Sequence, residues 1–518
     1  MSYQVLIPCA GTGSRLRNET KLLNKSLIHI KNKPIISYIL EKFPNDCEFI
    51  IPVGYKGKDL IDYLSIAHKD RKFIFENISP YEGKGSSLGF TLSKVIDNIN
   101  DSFVFISCDT LVAEDIPSPE SNWIGYCQVN DSSDYRTLEI KNGKILKLNE
   151  KLESNSNNAY IGLAGINKYD DFKAFYKSNK SEFFKKGESY PLSQMISEFT
   201  AKQFTWFDTG SIPGLNNTRL NYEPNKKVTH NILEKEEEKI WFTSNKVIKF
   251  SSDESFIKDR IKRSKIIQNY VPEITDEKKN MYSYEYIPGD VLSSQLTTEV
   301  FAKLLNVLEG FWEKKELSEK ESLSFTYSCH EFYKDKTFQR IEGFLNMYPF
   351  SNKDVTLNGK KTDTPYSILE KINWNNLSKG LPVVFHGDLH FENILYDSKK
   401  FTFLDWRQNF NGLLHYGDIY YDLAKLLHGI LLPHKIVIDG MYSISESEDD
   451  ITINIKLPDH YLKIYDFYIS WLKSQDFDID KVHILCALIY LNIAPLHHHP
   501  YSRFLFYYGL ELLEKYVE

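Results

Sequence analysis

Short apolar runs alternate with helix-spaced apolar residues over the first 215 positions of the chain. Four buried strands are predicted, at Val5–Pro8, Phe49–Val53, Lys72–Phe75 and Phe103–Ser107. Three helices are predicted between them, at 33–43, 57–68 and 85–98. Because strands that alternate with helices usually pair in parallel, this part is predicted to be an α/β domain with a Rossmann-like sheet, largely parallel or mixed.

The pattern changes after this first segment. Residues 216–239 are polar and rich in Asn, with Pro224 and a charged run that begins at Glu234. Such a run favours a solvated linker or an exposed helix. Beyond it, Lys239–Thr243 and Lys246–Phe250 predict a pair of strands.

Two domains joined by a linker follow from these patterns. The first is predicted to span residues 1–218, the linker 219–238 and the second domain 239–518. From about residue 298 the apolar spacing is mostly helical, apart from a β-rich island at 382–408.

Length and composition agree with several globular domains. The chain has 518 residues, 42% of them hydrophobic and 26% charged, with a formal net charge of −7. This mildly acidic balance argues against nucleic-acid binding, which needs a dense positive surface. The chain has no secretory signal pattern, no run of 18 apolar residues and six scattered cysteines, so we expect a cytoplasmic protein with reduced thiols and no membrane insertion.

The first predicted strand runs directly into a glycine-rich turn. Gly11, Gly13 and Ser14 let backbone N–H groups approach phosphate oxygens, and a helix after such a turn adds its positive end. The dinucleotide fingerprint is incomplete, because Leu16 stands where its third glycine is required. On this segment alone, a plain strand-to-helix turn is the alternative.

This turn resembles the opening motif of the nucleotidyltransferase family that activates sugar phosphates and alcohol phosphates. The motif is Gly-x-Gly, Thr or Ser, Arg and Leu, followed about ten residues later by Pro-Lys. Arg15 stands at the arginine position and Lys25 at the lysine position, while Asn24 replaces the proline. The resemblance implies that Arg15 and Lys25 are the catalytic cations that bind phosphate oxygens.

Later segments extend this resemblance in the order of the family. The loop Tyr81–Leu88 is similar to the second glycine-rich loop, which implies nucleotide contacts for Gly85 and Ser86. The residues at the implied sugar-contacting region are Glu150, Lys151 and Tyr160. The residues at the implied metal-binding positions are Asp109 and Asp208.

Two carboxylates at strand ends suit Mg²⁺, which prefers hard oxygen ligands and completes its octahedron with water. The implied reaction is in-line attack of a substrate phosphate on the α-phosphorus of a nucleoside triphosphate, with release of pyrophosphate. Because such catalysis depends on positioning and charge neutralisation, cations matter more than a general base.

The sharpest motif of the chain lies in the β-rich island. Asp388 and Asn393 have the spacing of the kinase catalytic loop, in which Asp accepts the hydroxyl proton and Asn holds Mg²⁺. Further along, the apolar strand from Phe401 ends in a second acid, Asp405, placed to bridge metal and phosphates.

This motif resembles the aminoglycoside phosphotransferase and choline kinase family, as does Gly417–Ala424. The resemblance implies a bilobal, protein-kinase-like α+β domain, with a small lobe at about 239–297 and a helical large lobe at about 298–518. It assigns the base to Asp388 and the Mg²⁺ ligands to Asn393 and Asp405. His386 is expected to shape the loop, and the supporting residues are Asp418 and Asp422. A protein kinase is disfavoured, because Trp-Arg follows Asp405 where Phe-Gly is usual.

The predicted small lobe offers fewer signals. Lys249 stands on a strand like the one that carries the phosphate-binding lysine of kinases, and an exposed strand lysine is the alternative. Its acidic partner stays open between Glu254 and Asp259. The segment Tyr284–Gly289 resembles the hinge that binds adenine, which implies nucleotide contacts for Glu285 and Tyr286.

The cluster His497–His499 lacks Cys or carboxylate groups at ligand spacing, so packing is favoured over metal binding. A kinase and a nucleotidyltransferase on one chain suggest consecutive steps. The expected partners are Mg²⁺, ATP, a second nucleoside triphosphate with CTP preferred, and a small alcohol or sugar acceptor, in the synthesis of capsule or surface polysaccharide or of lipid head groups.

Two alternatives stay open. One is a choline kinase and phosphocholine cytidylyltransferase proper. The other is a sugar-1-phosphate nucleotidyltransferase with a regulatory, non-catalytic kinase-like domain. The acceptor, the second nucleotide and the oligomeric state are not determined by the sequence.

Overall fold

The computed structural model describes residues 3–153, 156–223, 237–243 and 245–517. The chain divides into two compact units. The first unit comprises residues 1–254 and 275–286, and the second unit comprises 255–274 and 287–518. Most of the predicted linker, including Pro224 and Glu234, lies outside the described residues.

The first unit contains seventeen described strands and seven described α-helices. The strands are β1 Gln4–Leu6, β2 His29–Ile30, β3 Lys33–Pro34, β4 Glu48–Val53, β5 Lys72–Asn77, β6 Phe103–Ile106, β7 Thr110–Val112, β8 Trp123–Gln128, β9 Thr137–Lys141, β10 Lys144–Asn149, β11 Asn158–Ile166, β12 Thr200–Gln203, β13 Trp206–Asp208, β14 Glu238–Phe242, β15 Lys246–Ser251, β16 Ile274–Glu277 and β17 Met281–Glu285. The helices are α1 Ile35–Glu41, α2 Gly57–Ala67, α3 Leu88–Val95, α4 Tyr169–Ser178, α5 Lys180–Lys186, α6 Ser189–Gln194 and α7 Ile212–Asn221.

A nine-stranded mixed sheet lies at the centre of the first unit, in the order β5-β4-β1-β6-β11-β8-β12-β10-β9. Strands β5, β4, β1 and β6 are parallel to their neighbours, and β11 then pairs antiparallel with β6. The predicted α/β architecture and its four strands are therefore confirmed. The parallel strands also bring the loops after β1 and β6 to the same edge of the sheet, where ligands bind in such folds.

These parallel strands are apolar on both faces because each face packs on its own core. Val5 and Phe49 belong to one cluster of buried side chains, whereas Leu6 and Ile50 belong to the other. Successive side chains of a strand point to opposite faces, so a continuous apolar run is needed when both faces are covered.

A separate four-stranded sheet, in the order β14-β15-β17-β16, also lies in the first unit. The ring of Trp241 on β14 meets the ring of Tyr63 on α2 edge-on, with 5.1 Å between centroids. The Phe242 N–H donates to the carbonyl oxygen of Asn32 at 2.9 Å. Residues 239–297, the predicted small lobe, are thus divided between the two units, and the boundaries 1–218, 219–238 and 239–518 stay predictions.

The second unit is mostly helical, as its spacing predicted. Its described helices are α8 Glu254–Ile266, α9 Thr298–Phe311, α10 Glu319–His330, α11 Lys336–Met347, α12 Pro365–Glu370, α13 Trp374–Leu377, α14 Ile419–Leu431, α15 His434–Ile438, α16 Asp459–Ser474, α17 Ile479–Ile493 and α18 Tyr501–Glu514. Its described strands are β18 Asp290–Val291, β19 Val355–Leu357, β20 Lys360–Thr362, β21 Pro382–Val383, β22 Ile394–Tyr396, β23 Phe401–Phe403, β24 Gly417–Asp418, β25 Tyr442–Ser447 and β26 Asp450–Ile455.

The strands β21–β23 lie in the predicted β-rich island. The hairpin β25–β26 was not predicted, and it joins β19 and β20 in a four-stranded sheet. Its signal was present, because Ile451, Ile453 and Ile455 alternate with polar residues as in a half-buried strand.

One helical stretch, Ile479–Leu496, is long and apolar enough to cross a membrane, with a mean hydropathy of 1.5 over 18 residues. In the structure 61% of this stretch is buried, since α17 packs against α14 and α18. The expectation that the chain does not insert into a membrane stays a prediction.

Candidate active sites

The glycine-rich turn after β1 forms one wall of a cavity of about 440 Å³ in the first unit. The cavity is lined by Gly11, Thr12, Gly13, Ser14, Arg15, Leu16, Lys25, Tyr81, Glu82, Gly83, Ser86, Asp109 and Gly210. The structure thus brings seven of the predicted nucleotide, phosphate and metal positions together. Gly85 lies between two of the lining residues in sequence but is not itself part of the lining.

Asn24, which stands where the related motif has proline, fixes the position of Lys25. Its side-chain Nδ2 donates to the carbonyl oxygens of Cys9 and Tyr55 at 2.9 and 2.8 Å, and its Oδ1 accepts from the Ser26 N–H. These hydrogen bonds hold the short helical turn that begins at Lys25. The substitution therefore replaces the rigidity of proline with a buried hydrogen-bond network.

Lys25 and Asp109 line this cavity, and a second carboxylate, Asp208, lies beside the lining residue Gly210. Lys25 Nζ lies 3.0 Å from Asp109 Oδ2. A Cβ atom added to Gly210 would lie 2.8 Å from Asp109 Oδ2 and 3.2 Å from Asp208 Oδ1, so the two carboxylates flank the same glycine. Asp208 is further fixed by the Gly210 N–H at 2.9 Å and by the Tyr135 hydroxyl at 3.3 Å.

The two aspartates differ in their electrostatic environment. Burial opposes ionisation of Asp109, but Lys25 and Arg15 hold its pKa below the usual value. Burial and the charge of Asp109 raise the pKa of Asp208, and the Gly210 N–H opposes this rise. Two adjacent carboxylates that repel each other are stabilised by a shared cation.

The oxygen donors of Asp109 and Asp208 fit Mg²⁺, because hard carboxylate ligands around a glycine leave room for the ion and its waters. Among the described residues, no group of three or more His, Cys, Asp or Glu side chains forms an all-protein metal cage. A site with one or two carboxylates is nevertheless usual for Mg²⁺ that is also held by phosphates.

The predicted sugar-contacting residues lie outside the lining of this cavity. Arg136 Nε donates to Glu150 Oε2 at 2.8 Å, whereas Lys151 is exposed. Tyr160 is buried beside Glu188, and burial followed by the charge of Glu188 raises the pKa of Tyr160 well above its usual value. The Tyr160 hydroxyl and Glu188 Oε2 are buried without a hydrogen-bond partner among the residues that the structure describes.

The predicted kinase lysine and hinge lie on the four-stranded sheet of the first unit. The Lys249 side chain is buried on β15, where Lys249 pairs with Ile240 and Tyr282. Glu285 ends β17, and the Tyr286 N–H donates to the Asn245 carbonyl oxygen at 2.7 Å.

Of the two candidate acids, Glu254 forms an ion pair with Lys279, and Asp259 accepts from Asn409 Nδ2 at 3.2 Å. The acid that pairs with Lys249 stays open.

Asp388 lies at the centre of the candidate site in the second unit. Lys425 Nζ lies 2.8 Å from its Oδ1, and Asn393 Nδ2 donates to its Oδ2 at 3.2 Å. Burial alone would raise the pKa of Asp388, but Lys425 and His390 hold it well below its usual range. Asp388 is therefore ionised at neutral pH and can accept a hydrogen bond from an acceptor hydroxyl.

Two buried side chains, His386 and Asp422, fix the loop around Asp388. The Asp388 N–H donates to His386 Nδ1 at 3.2 Å, so His386 Nε2 carries the proton and donates to the Leu404 carbonyl oxygen at 2.9 Å. Burial lowers the pKa of His386 to about 3, which keeps the ring neutral. The side chain of Asp422 accepts from the N–H groups of His386 and Gly387, at 2.8 and 2.7 Å.

Asp418 and Asp405 occupy distinct positions around this loop. Asp418 caps α14 and accepts from the Tyr333 hydroxyl at 2.8 Å, so it supports the helix that carries Lys425. Asp405 has a positive φ of 54°, and its Oδ1 accepts from Arg260 Nη1 at 3.1 Å. The oxygens of Asp405 and Asn393 are donors that fit Mg²⁺.

Sequence reasoning missed two residues that these sites use. Tyr135 reaches Asp208 from a polar loop that has no periodicity, so no local signal marked it. Lys425 follows the motif Gly417–Ala424 by one position and lies on the buried face of α14, where a lysine is rare without a partner. A lysine at a buried helix position is unusual, and this could have identified Lys425 from the sequence.

The histidine cluster forms packing contacts. His497 lies 4.9 Å from Tyr501, centroid to centroid, whereas His498 and His499 are exposed. Among the described residues, this cluster contributes to no group of three metal-ligating side chains.

Taken together, these sites define two classes of transferase on one chain. The first unit combines a glycine-rich turn, two cations and two aspartates, as predicted for an enzyme that handles nucleotides, and the second unit places Asp388 and Asn393 together, as predicted for a phosphotransferase. Residues 274–437 match the family described as the phosphotransferase enzyme family (APH). The C-terminal part of the chain is thus a domain of that family.

The N-terminal part is homologous to nucleotidyltransferases. It is 28% identical over 187 residues to the bifunctional protein GlmU of Methanocaldococcus jannaschii, which covers 35% of this chain and 43% of that protein. It is 26% identical over 189 residues to D-glycero-alpha-D-manno-heptose 1-phosphate guanylyltransferase of Campylobacter jejuni, which covers 35% of this chain and 84% of that protein. The chain thus spans less than half the length of the GlmU relative.

Two solved structures also align with part of this chain. A putative glucose-1-phosphate thymidylyltransferase from Bacillus anthracis aligns with a TM-score of 0.38 and 21% identity, over 44% of this chain and 98% of that chain. The CTP:phosphocholine cytidylyltransferase from Streptococcus pneumoniae aligns with a TM-score of 0.36 and 17% identity, over 43% of this chain and 100% of that chain.

Proposed function

We propose that the chain is a bifunctional, cytoplasmic enzyme that phosphorylates a small alcohol with ATP and then couples the resulting phosphate to a nucleotide. The product is a nucleoside-diphosphate-activated precursor, for capsule or surface polysaccharide or for lipid head groups. CTP is the preferred nucleotide. The observation that carries this proposal is the pairing, on one chain, of the Lys25–Asp109 site with the Lys425–Asp388 site.

In the nucleotidyl transfer, an oxygen of the alcohol phosphate forms a bond with the α-phosphorus of the nucleoside triphosphate. The bond from that phosphorus to the α–β bridging oxygen breaks, and pyrophosphate leaves. Arg15 and Lys25 line the cavity and bind the phosphate oxygens on which negative charge accumulates. Bound Mg²⁺, held by Asp109 and Asp208, would supply further charge neutralisation.

In the phosphorylation, the acceptor hydroxyl oxygen forms a bond with the γ-phosphorus of ATP. The bond to the β–γ bridging oxygen breaks, ADP leaves, and the hydroxyl proton passes to Asp388 and then to solvent. Lys425 and Asn393 hold the Asp388 carboxylate in place for this proton. Mg²⁺ held by Asn393 and Asp405 would neutralise the phosphates, and Arg260, which pairs with Asp405, must then share this carboxylate with the ion.

An assay with the purified full chain tests the proposal. The protein is incubated with Mg²⁺, ATP, each of the four nucleoside triphosphates and a panel of alcohols, and pyrophosphate and ADP are measured separately. We expect ADP with a subset of alcohols, and pyrophosphate only when an alcohol of that subset and one nucleotide, CTP by preference, are present together. Pyrophosphate formation that is independent of the phosphorylated alcohol contradicts the coupling of the two steps.

A regulatory, non-catalytic kinase-like domain is the alternative. The retention of Asp388, Asn393 and Asp405 in contact with supporting groups argues against it. Asp388→Asn is expected to abolish ADP formation and to leave pyrophosphate formation from a supplied alcohol phosphate unchanged. An unaltered rate of ADP formation in this variant overturns the assignment of Asp388 as the base, whereas a complete lack of ADP formation by the unmodified chain with any alcohol supports the regulatory alternative.

A further inference from the structure

A group of three basic side chains lies in the second unit, and Arg407 connects it to the loop that carries Asp388. Lys336 and Arg340 lie one turn apart on α11, and Arg407 follows Asp405 by two positions. Within the part of the chain that the structure describes, no carboxylate lies at ion-pair distance from any of the three. All three are half-buried, so their charges are not fully solvated.

Two of these cations lie close to the same aromatic ring, that of Phe332. Lys336 Nζ lies 4.4 Å from the centre of the Phe332 ring, and Arg407 Cζ lies 4.7 Å from it. Phe332 belongs to one turn of π-helix, Glu331–Asp335, between α10 and α11. Such turns are rare and often occur at functional sites.

The same ring connects the cluster to the proposed base. Phe332 packs edge-on against Tyr421, with 4.8 Å between the ring centroids. Lys425, one turn further along α14, lies 6.0 Å from the centre of the Tyr421 ring and 2.8 Å from Asp388. Phe332 and Tyr421 therefore connect Lys336 and Arg407 to the lysine that pairs with the proposed base.

The backbone of the catalytic loop fixes the position of Arg407. Its N–H donates to the His386 carbonyl oxygen at 2.9 Å, and a Cβ atom on Gly387 would lie 2.6 Å from Arg407 Cβ. Arg407 Nε is buried and has no hydrogen-bond partner among the described residues. A buried donor without a partner in the chain indicates a ligand or a water molecule.

Like charges are crowded in this region. Burial first, and then the charges of Arg407, Lys425 and Arg340, hold the pKa of Lys336 well below its usual range. Cations this close repel one another, and an anion placed among them relieves the repulsion.

We infer that Lys336, Arg340 and Arg407 form an oxyanion subsite that binds a phosphate or carboxylate group of the acceptor. The acceptor is then an alcohol with a second, anionic end, such as a sugar phosphate, a polyol phosphate or a hydroxy acid. This inference rests on the proposed kinase activity. The γ-phosphate of ATP has the same chemistry, but α11 carries none of the predicted nucleotide-binding residues, which favours the acceptor.

Matched pairs of alcohols test the charge of the acceptor. The full chain is assayed for ADP formation with glycerol against glycerate, glucose against glucose 6-phosphate, and choline as a cationic alcohol. We expect at least a tenfold higher kcat/KM for the anionic member of a pair. A neutral or cationic alcohol as the best substrate overturns the inference.

Variants separate the acceptor from ATP as the source of the anion. Lys336→Gln and Arg340→Gln are expected to raise the KM of the anionic acceptor at least tenfold and to change the KM of ATP less than twofold. Lys320→Gln, on the exposed surface of α10, removes the same charge and is expected to leave both constants unchanged. A rise in the KM of ATP alone assigns the cluster to the γ-phosphate and overturns the inference.

A phosphate-binding measurement tests the subsite independently of enzyme activity. If no alcohol is phosphorylated, the proposed kinase activity is contradicted, and this measurement still decides whether the subsite exists. Calorimetric titration with inorganic phosphate is compared between the unmodified chain, Lys320→Gln and the double variant Lys336→Gln/Arg340→Gln. We expect one phosphate fewer per chain in the double variant, with an unchanged circular dichroism spectrum. Equal stoichiometry in all three proteins contradicts the subsite.

Discussion

Lys425 and Asp388 form an ion pair, with 2.8 Å between Nζ and Oδ1, in which the lysine side chain is buried. The pair explains why a lysine lies on the buried face of α14, and it fixes the position of one carboxylate oxygen of the proposed base. The other oxygen is held by Asn393 at 3.2 Å, so the carboxylate has little freedom to rotate.

Lys425→Met is expected to lower the rate of phosphorylation at least tenfold, because Asp388 loses the cation that orients it. ADP formation with a saturating acceptor measures the change. Pyrophosphate formation from a supplied alcohol phosphate is expected to stay at the level of the unmodified chain. Lys435→Met, at an exposed position of α15, is the matched control, and an equal loss in both variants contradicts the assignment.

Lys25→Met is expected to reduce pyrophosphate formation about a hundredfold, because it removes a cation from the cavity and leaves Asp109 without its ion-pair partner. ADP formation is expected to be unchanged. Lys69→Met, in an exposed turn, is the control. A Lys25→Met protein with full transferase activity would show that this lysine only supports Asp109.

Asp422→Asn tests the support of the catalytic loop. The His386 and Gly387 N–H groups donate to different oxygens of Asp422, and asparagine keeps only one of these oxygens, so one buried donor loses its partner. We expect the variant to lose about 1–3 kcal/mol of stability together with most of its phosphorylation activity. Thermal unfolding and ADP formation measure the two effects, and a variant that keeps both argues against this support.

Trp241 offers a test of the four-stranded sheet in the first unit. Its side chain is fully buried between Tyr63 and Phe250. Trp241→Ala is expected to cost about 3–5 kcal/mol because it leaves a large cavity. Trp241→Phe is expected to cost much less, since the Trp241 Nε1 atom has no hydrogen-bond partner in the described part of the chain. Equal losses in chemical denaturation contradict this account.

His68 is expected to make the first unit sensitive to acid. Burial, and then Arg71 and Lys33, lower the pKa of His68 to about 4. The unfolded chain binds a proton near pH 6.5 and the folded chain does not, so the free energy of unfolding falls as the pH drops from about 6.5 to 4, by at most about 1.4 kcal/mol per unit.

The variant His68→Gln is expected to lack this contribution, so its stability relative to the unmodified chain improves as the pH falls. Ser37→Ala removes the 2.7 Å hydrogen bond to His68 but keeps the titrating ring. It is therefore expected to lower stability and to keep the acid sensitivity. Denaturation curves at pH 7, 6 and 5 measure both, and parallel pH dependences of His68→Gln and the unmodified chain refute the prediction.

The local patterns predicted the parallel strands of the first unit and marked the glycine-rich turn and the loop of Asp388. The strand before Gly11 and the strand before Asp109 are continuous apolar runs, which is the direct signature of strands covered on both faces. Asp388 and Asn393 are close in sequence, so their spacing alone placed them together. Contacts between distant segments left no such trace, as with Tyr135 and Asp208, which are brought together only by the folded sheet.

In the second unit, too, contacts between distant segments could not be predicted from the sequence. The basic cluster around Phe332 joins α11 to the loop after β23, and neither segment is unusual by itself. The four-stranded sheet was predicted to belong with the second domain, because it precedes that domain's helices along the chain. Its packing on α2 through Trp241 depends on side-chain contacts that sequence order does not report.

The contact of Trp241 with Tyr63 has a consequence for division of the gene into two separate genes. Splitting the reading frame at the predicted linker would remove β14–β17 from the first unit and leave Tyr63 on a bare apolar surface that favours aggregation. Selection would therefore act against fission of the gene. In organisms that encode the two activities separately, we expect a polar side chain at the position of Tyr63.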